Sequence, residues 1–384
     1  MKSISTLYLS EEALRGNIAF IKQQLGGKVR LSSVIKGNAY GHGIEVFAPM
    51  VERCGVDHFC VFSADEAYKA KKVLSPDSTL LVMGAFYNDD AAWLIENDVE
   101  FFVFDLDRLN AALDAAKALN KPAKIHIEVE TGMNRTGFDQ NDLNILVEIL
   151  KANPNYLTFE GLCTHYAGAE SIANHVRVQK QIRKYNEVYK WLKSEGLKPR
   201  IRHTACSAAA MAYPKTHMDM VRVGILQYGF WPSREIFIDY LGRQKGEDKA
   251  DPLKRVISWK SYVMSTKKVR TGEFIGYGTS YLAQQNMTIA TVPVGYSHGY
   301  SRVLSNQGRV LIGGKRVGVI GMVNMNMMMV DITDLSEIEA GDEVVLIGAD
   351  GDKMISVASF GELSNQLNYE LLTRLPHDIP RIIK

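Results

Sequence analysis

The stretch "VIKGNAYGHG", Val34 to Gly43, places Lys36 at the end of an apolar run and follows it at once with glycines, an asparagine, a tyrosine and a histidine. A lysine whose charged form is disfavoured by burial offers a neutral amine, and such an amine condenses with an aldehyde to a Schiff base. Other polar side chains also stand at the ends of apolar runs: Arg135 in "EVETGMNRTGF", His165 in "GLCTHYAG", Ser207 in "HTACSAAA", and Arg222 with Gly224 and Ile225 in "MVRVGILQYG". Pyridoxal 5'-phosphate suits this set. Its aldehyde needs the lysine, its phosphate needs backbone N–H groups and a hydroxyl such as those of Gly224, Ile225 and Ser207, and its ring nitrogen can face a cation such as Arg222. Taken singly, a strand-end lysine is usually solvated, and a single arginine or histidine is usually a structural partner. Only together do they define a site.

Such a convergence needs a scaffold that brings many strand ends to one face. Eight short apolar runs lie between Val29 and Leu226: "VRLSSVIK", "DHFCVF", "STLLVMG", "EFFVFD", "KIHIEVE", "LTFEGLCTH", "RIRHTA" and "MVRVGI". Amphipathic stretches separate them, as in "GIEVFAPMVERCG", where Ile44, Phe47, Met50, Val51 and Cys54 form one stripe and Gly55 can stop the helix. Eight strands in series with helices between them predict a (β/α)8 TIM-type barrel, whose catalytic groups gather at the carboxyl ends of the strands. From Arg255 onward, runs such as "RVISWKSYVMSTKKV", "NMTIATVPVGY", "GRVLIGGKRVGVIG" and "DEVVLIGADG" read as β-strands separated by glycine turns. The α/β chain is therefore expected to divide into a barrel over 1–240 and a mainly β domain over 241–384. The polar stretch Asp239–Pro252 is expected to form the join as a solvated loop.

Composition narrows the function classes. With 384 residues and a net charge of +2, from 45 basic against 43 acidic residues, the chain carries no field suited to nucleic acid or an anionic membrane surface. Four scattered cysteines without CxxC spacing predict a reduced protein without structural zinc. The amino terminus lacks a signal-peptide pattern, and no apolar run has membrane-spanning length, so a cytoplasmic protein acting on a small molecule is expected.

Seven segments, "VIKGNAYGHG", "ETGMNRTGF", "GLCTHYA", "MVRVGILQYG", "IGYGTSY", "VGYSHGYSR" and "VNMNMMMVDIT", resemble in order and approximate spacing the motifs of bacterial alanine racemases. The resemblance covers nearly the whole chain. It implies a pyridoxal-phosphate isomerase that interconverts L- and D-alanine, supplying a peptidoglycan precursor. The family pattern is a head-to-tail homodimer whose β domain, joined by the first residues of the chain, completes the partner's active site. By position, Lys36 would be the Schiff-base lysine and one catalytic base, and Tyr277, given across the dimer, the other. Tyr40, Ser207, Gly224, Ile225 and Tyr369 would hold the phosphate, with His165 supporting Arg222 at the ring nitrogen. Arg135, Tyr296 and the backbone of Met325 would hold the substrate or the ring hydroxyl. Two bases on opposite faces of the α-carbon are what racemisation requires, and the side chains of lysine and tyrosine are of similar basicity in water.

Five positions depart from the family pattern. Glu128 stands where many members carry a carbamylated lysine, and its carboxylate is expected to orient Arg135 directly. Asn134 replaces a glycine, Asn326 an aspartate, and Ser297 with His298 a small-then-acidic pair. These changes bear on substrate choice more than on reaction type. The methionine run before Asp331 is expected to pack as an interior strand, and His42 to act as a helix-start or supporting group. A broader-specificity racemase acting on serine or lysine is the near alternative. A related decarboxylase would need a carboxyl-terminal cysteine-aspartate pair that is not found, and a noncatalytic pyridoxal-phosphate carrier would lack the second domain.

Overall fold

A computed structural model describes residues 3–244, 249–364 and 368–384. The chain separates into two compact units. One comprises 12–39 with 47–254, and the other 1–11, 40–46 and 255–384.

In the first unit, eight parallel strands run side by side among the described residues. Their order is Ile201–His203, Leu157–Cys163, Ala123–Glu128, Glu100–Val103, Thr79–Val82, His58–Val61, Arg30–Val34 and Met220–Val223. The two ends meet: Arg222 N donates to Ala205 O at 3.0 Å, Asp219 N to Arg202 O at 3.2 Å, and Cys206 bridges Arg222 in parallel. All eight expected strands are present, because a strand buried on both faces reads as a continuous apolar run. The connecting helices follow their local signals. Asp105 caps Leu106–Leu119 by accepting from Arg108 N, and Asn120, at φ 48°, ends it in the left-handed conformation. The stripe Ile44, Phe47, Met50 and Val51 is buried on the helix Ile44–Arg53, with Gly55 at φ +72° beyond it.

Buried Asn17 ties the first helix, Glu11–Leu25, to the end of this unit. Its amide donates to Gln227 O at 3.1 Å and to Lys254 O at 2.8 Å, while its oxygen accepts from Lys254 N at 2.9 Å. The solvated loop expected over Asp239–Pro252 is helical at its start. The helix Arg234–Arg243, capped by Ser233 Oγ on Ile236 N at 3.2 Å, runs through the 240/241 boundary, and the chain divides at Lys254/Arg255. The rest of that stretch, 245–248, lies outside the described residues.

In the second unit a mostly antiparallel sheet has the order Ser265–Val269, Met287–Val292, Met328–Asp331, Lys315–Ile320, Arg309–Ile312, Glu343–Asp350, Ile257–Tyr262, Thr6–Leu9 and Arg381–Ile383, with Lys353–Ile355 paired to Glu343–Asp350. The amino-terminal strand Thr6–Leu9 sits between Ile257–Tyr262 and Arg381–Ile383, and Leu7 and Leu9 point into the core. Of the methionine run, Met328 and Met329 are buried with Val330, whereas Met325 is 56% and Met327 37% exposed. The expected interior strand is thus present from Met328 onward, and the methionines before it lie in an exposed turn.

Candidate active site

Lys36 leaves the strand Arg30–Val34 where a left-handed turn begins. Gly37, Asn38, Ala39 and Tyr40 have φ values of 62°, 53°, 53° and 50°, and Ala39 N donates to Ile35 O at 2.7 Å. Left-handed backbone costs about 1–2 kcal/mol at each non-glycine residue, so the surroundings must hold it. Glu66 does part of this, its carboxylate accepting from Asn38 N at 3.0 Å and Phe62 N at 2.9 Å. The strand end is pinned from the other side, Val34 O accepting from Gln227 Nε2 and Tyr228 Oη, both at 3.0 Å. Water reaches Lys36 at the barrel mouth, yet the protein atoms around it lower its pKa through desolvation first and the Arg135 guanidinium second. Arg222 adds to this and Glu66 opposes it. The charged form of Lys36 is thereby disfavoured.

His165 is pushed down to about 3 by burial and then by Arg222, Arg135 and Lys36, so it is a neutral imidazole at ordinary pH. The imidazole that accepts from buried Arg222 is His203, through Nδ1, while His165 interacts with Arg222 electrostatically. Arg222 also donates to His203 O at 2.7 Å and Thr164 O at 2.9 Å. The geometric reason is register: Cys206, three residues beyond His203, bridges Arg222 and draws the His203 ring alongside the guanidinium. Ser207 Oγ accepts from Gly224 N at 2.9 Å, joining two of the expected phosphate ligands, and Ile225 follows, buried.

Arg135 is exposed on a loop organised by Glu130, whose carboxylate accepts from the amides of Gly132, Met133 and Asn134. Asn134 takes φ +58°, so a residue tolerant of the left-handed region replaces the family glycine. Gly137, at φ +118°, lets the loop close, because an added Cβ would lie 2.7 Å from Glu130 N. Glu128 does not hydrogen-bond Arg135 as expected. Its carboxylate accepts from Thr136 Oγ1 at 2.7 Å, and burial raises its pKa against the opposing pull of Thr136, Arg222 and Arg135. Thr136 takes the place expected of Arg135, which acts on Glu128 only electrostatically.

In the second unit, Tyr277 is 74% exposed on a turn flanked by Gly276 at φ 76° and Gly278 at φ 72°. Tyr296 and Met325 stand together: Tyr296 N donates to Asn324 O at 3.0 Å, and Ser297 Oγ donates to Met325 O at 2.7 Å. Asn326 Nδ2 donates to Ser297 Oγ at 3.1 Å, so two of the departures from the family pattern are hydrogen-bond partners. The Tyr40 and Tyr369 rings lie 5.9 Å apart, and buried His42 meets Tyr40 O through Nδ1 at 3.0 Å. Glu66, Gln227, Tyr228 and His203 were not singled out from the sequence, although the last three lie in or beside quoted motifs.

The cationic cluster of Lys36, Arg135 and Arg222, with a hydroxyl and a glycine turn beside it, fits an anionic, phosphate-bearing aldehyde. Fold and site together define a barrel protein that gathers cations at the carboxyl ends of its strands. The alanine racemase N-terminal and C-terminal domain profiles match residues 9–232 and 256–383. An alanine racemase of Leptospira interrogans is 33% identical over 379 residues, covering 99% of this chain and 95% of that protein. The crystal structure of the Bacillus anthracis alanine racemase with bound L-Ala-P is similar at a TM-score of 0.89 and 31% identity, covering 100% of this chain and 96% of that one. The Bartonella henselae alanine racemase, solved with covalently bound pyridoxal phosphate, shares the fold at a TM-score of 0.83 and 24% identity, over 100% of both chains. The chain belongs to the alanine racemase family, pyridoxal-phosphate-dependent isomerases that interconvert L- and D-alanine.

Proposed function

We propose that Lys36 and Tyr277 are the two bases of alanine racemisation in this chain, acting on opposite faces of the substrate. The observation that carries the reading is Lys36 itself, a barrel-strand lysine with its pKa lowered beside two arginines. Bound on Lys36, pyridoxal phosphate supplies the electron sink that acidifies the α-C–H bond. Tyr40, Ser207, Gly224, Ile225 and Tyr369 would hold its phosphate, and Arg222 would face its ring nitrogen. Because a guanidinium keeps its proton, Arg222 would withhold a proton from the pyridine nitrogen and so limit side reactions such as transamination. His165, neutral at working pH, adds no charge beside Arg222. Arg135, Tyr296 and the Met325 backbone orient the substrate. Lys36 Nζ takes or returns the α-proton on one face, and Tyr277 Oη on the other.

Tyr277 belongs to a second copy in this reading. The exposure of Phe274, Tyr277, Leu282, Tyr296 and Met325 on one unit supports it, since such an apolar set favours a partner surface. A cytoplasmic location, supported by the buried free thiols Cys60 and Cys163, and a role in supplying D-alanine for peptidoglycan complete the proposal. The test is racemisation by the purified holoenzyme across the common L-amino acids, followed by circular dichroism. Alanine should be turned over with the highest kcat/KM, and a higher value for serine or lysine would reassign the substrate.

A further inference from the structure

Behind Arg222, the barrel interior contains a line of buried polar side chains that the two-base reading does not use. Arg222 donates to His203 Nδ1, the His203 and His126 rings meet through Nε2 and Nδ1 at 2.8 Å, and His126 Nε2 lies 2.7 Å from Glu100 Oε2. His126 and His203 are fully buried, and Glu100 and Arg222 nearly so. Glu100 opens its strand and Arg222 lies near the end of another, so the line climbs through the layers of the barrel towards the carboxyl ends of the strands. Phe102 walls it, its ring centroid 6.2 Å from that of His126 and 5.9 Å from that of His203.

The backbone makes room for it. Opposite His126 the strand Leu157–Cys163 carries a bulge, pairing Ile125 with Phe159 but His126 with Gly161. A Cβ at Gly161 would lie 2.0 Å from His126 Nδ1. Bulges re-aim side chains, and this one admits an imidazole that an ordinary ladder would exclude.

One proton arrangement satisfies every contact. A guanidinium can only donate, so His203 Nδ1 accepts and its proton sits on Nε2. That proton is donated to His126 Nδ1, which leaves the His126 proton on Nε2, where it is donated to the Glu100 carboxylate. Two neutral imidazoles then separate one cation from one anion. Burial and the Arg222 charge hold the His203 pKa well below its usual value, and the hydrogen bond from His126, with His58 nearby, holds Glu100 ionised against the effect of its burial. His58 approaches the same Glu100 oxygen at 3.7 Å and meets Ser32 Oγ through Nδ1 at 2.7 Å.

We propose that Glu100 and His126 are positioning residues for Arg222: the carboxylate sets the direction of the histidine line, so that His203 presents an acceptor that holds the guanidinium in place, and it supplies the buried counter-charge. The proposal rests on the reading that Arg222 lies at the ring nitrogen. Glu100→Gln tests it, because an amide can donate as well as accept and carries no charge. In ¹⁵N-histidine spectra of the holoenzyme, His126 and His203 should both be protonated at Nε2 alone. The variant should show mixed tautomers. The pH midpoint of the bound cofactor's visible absorption should fall by about one unit as Arg222 loses its counter-charge. Lys36, Arg135, His165 and Glu128, which sense Arg222 or Arg135 electrostatically, are the same in both proteins. Glu100→Asp, which keeps the charge, should return the midpoint towards that of the parent. A parent His203 protonated at Nδ1 overturns the proposal even if no variant folds. So does a Glu100→Gln enzyme whose tautomers change while the cofactor midpoint stays. Should Arg222→Gln itself leave the midpoint in place, the assignment of Arg222 to the ring nitrogen fails instead.

Discussion

Replacing Gly161 by alanine adds one methyl group where the barrel has no space for it. The new carbon would lie 2.0 Å from His126 Nδ1, 2.7 Å from Cε1 and 2.8 Å from Cγ. The ring cannot retreat freely, since it is held to His203 at 2.8 Å and to Glu100 at 2.7 Å. Reaching van der Waals distance needs a displacement of about 1.5 Å, given carbon contacts near 3.5 Å, and that breaks both hydrogen bonds. Overpacking costs about 1–3 kcal/mol, and each of the two buried polar partners left unsatisfied about 1–3 kcal/mol more, so a loss of about 3–9 kcal/mol is expected. Against a net domain stability of about 5–15 kcal/mol this is a large fraction. Urea denaturation of the purified protein, followed by tryptophan fluorescence, should show the midpoint fall. The control is the double variant with His126→Ala, which removes the obstructing ring. In that background Gly161→Ala should be nearly neutral, a coupling of at least about 2 kcal/mol between the two sites. If Gly161→Ala alone denatures within about 1 kcal/mol of the parent, the packing argument and the clamped position of His126 are both refuted.

Borohydride reduction followed by peptide mapping should place the pyridoxyl group on Lys36, and an adduct confined to another lysine would refute that assignment. Tyr277→Phe should retain the cofactor yet lose about 10²- to 10⁴-fold in racemisation, the usual weight of a general acid–base group. In deuterated water, α-proton exchange should survive for the D-enantiomer, which the family resemblance assigns to the lysine face, and collapse for the L-enantiomer; parent-rate racemisation would make Tyr277 structural. Because Glu128 is a permanent carboxylate, decarbonated buffer should leave the rate unchanged, and stimulation by bicarbonate would contradict this. His165, with a folded pKa of about 3 against an ordinary value near 6.5, refuses protons that the unfolded chain accepts. Its contribution is therefore present in full above about pH 6.5 and is lost as the pH falls towards 3, with His203 and His58 acting in the same direction. Denaturant midpoints that fail to drop between pH 7 and 4 would count against neutral buried imidazoles.

The eight barrel strands were legible in the sequence because each is buried on both faces, and a doubly buried strand leaves an uninterrupted run such as "HFCV" or "EFFV". Lys36 was legible for the complementary reason, as a cation at the end of such a run. Local chemistry also marked the helix stripe around Phe47 and the left-handed Gly55. Partnership was not legible. Glu100 reads as an ordinary polar strand start, and His126 as a polar residue inside "KIHIEVE". Their juxtaposition depends on a bulge opposite Gly161, and His126 and His203 are 77 positions apart. In the same way, Thr136 captures Glu128 ahead of Arg135, Asn326 finds Ser297, and Gln227 reaches back 193 residues to Val34 O. Periodicity records which face of an element is buried. Which polar atoms meet on that face is decided by the register, twist and closure of the assembled sheet, and these exist only once distant segments have packed.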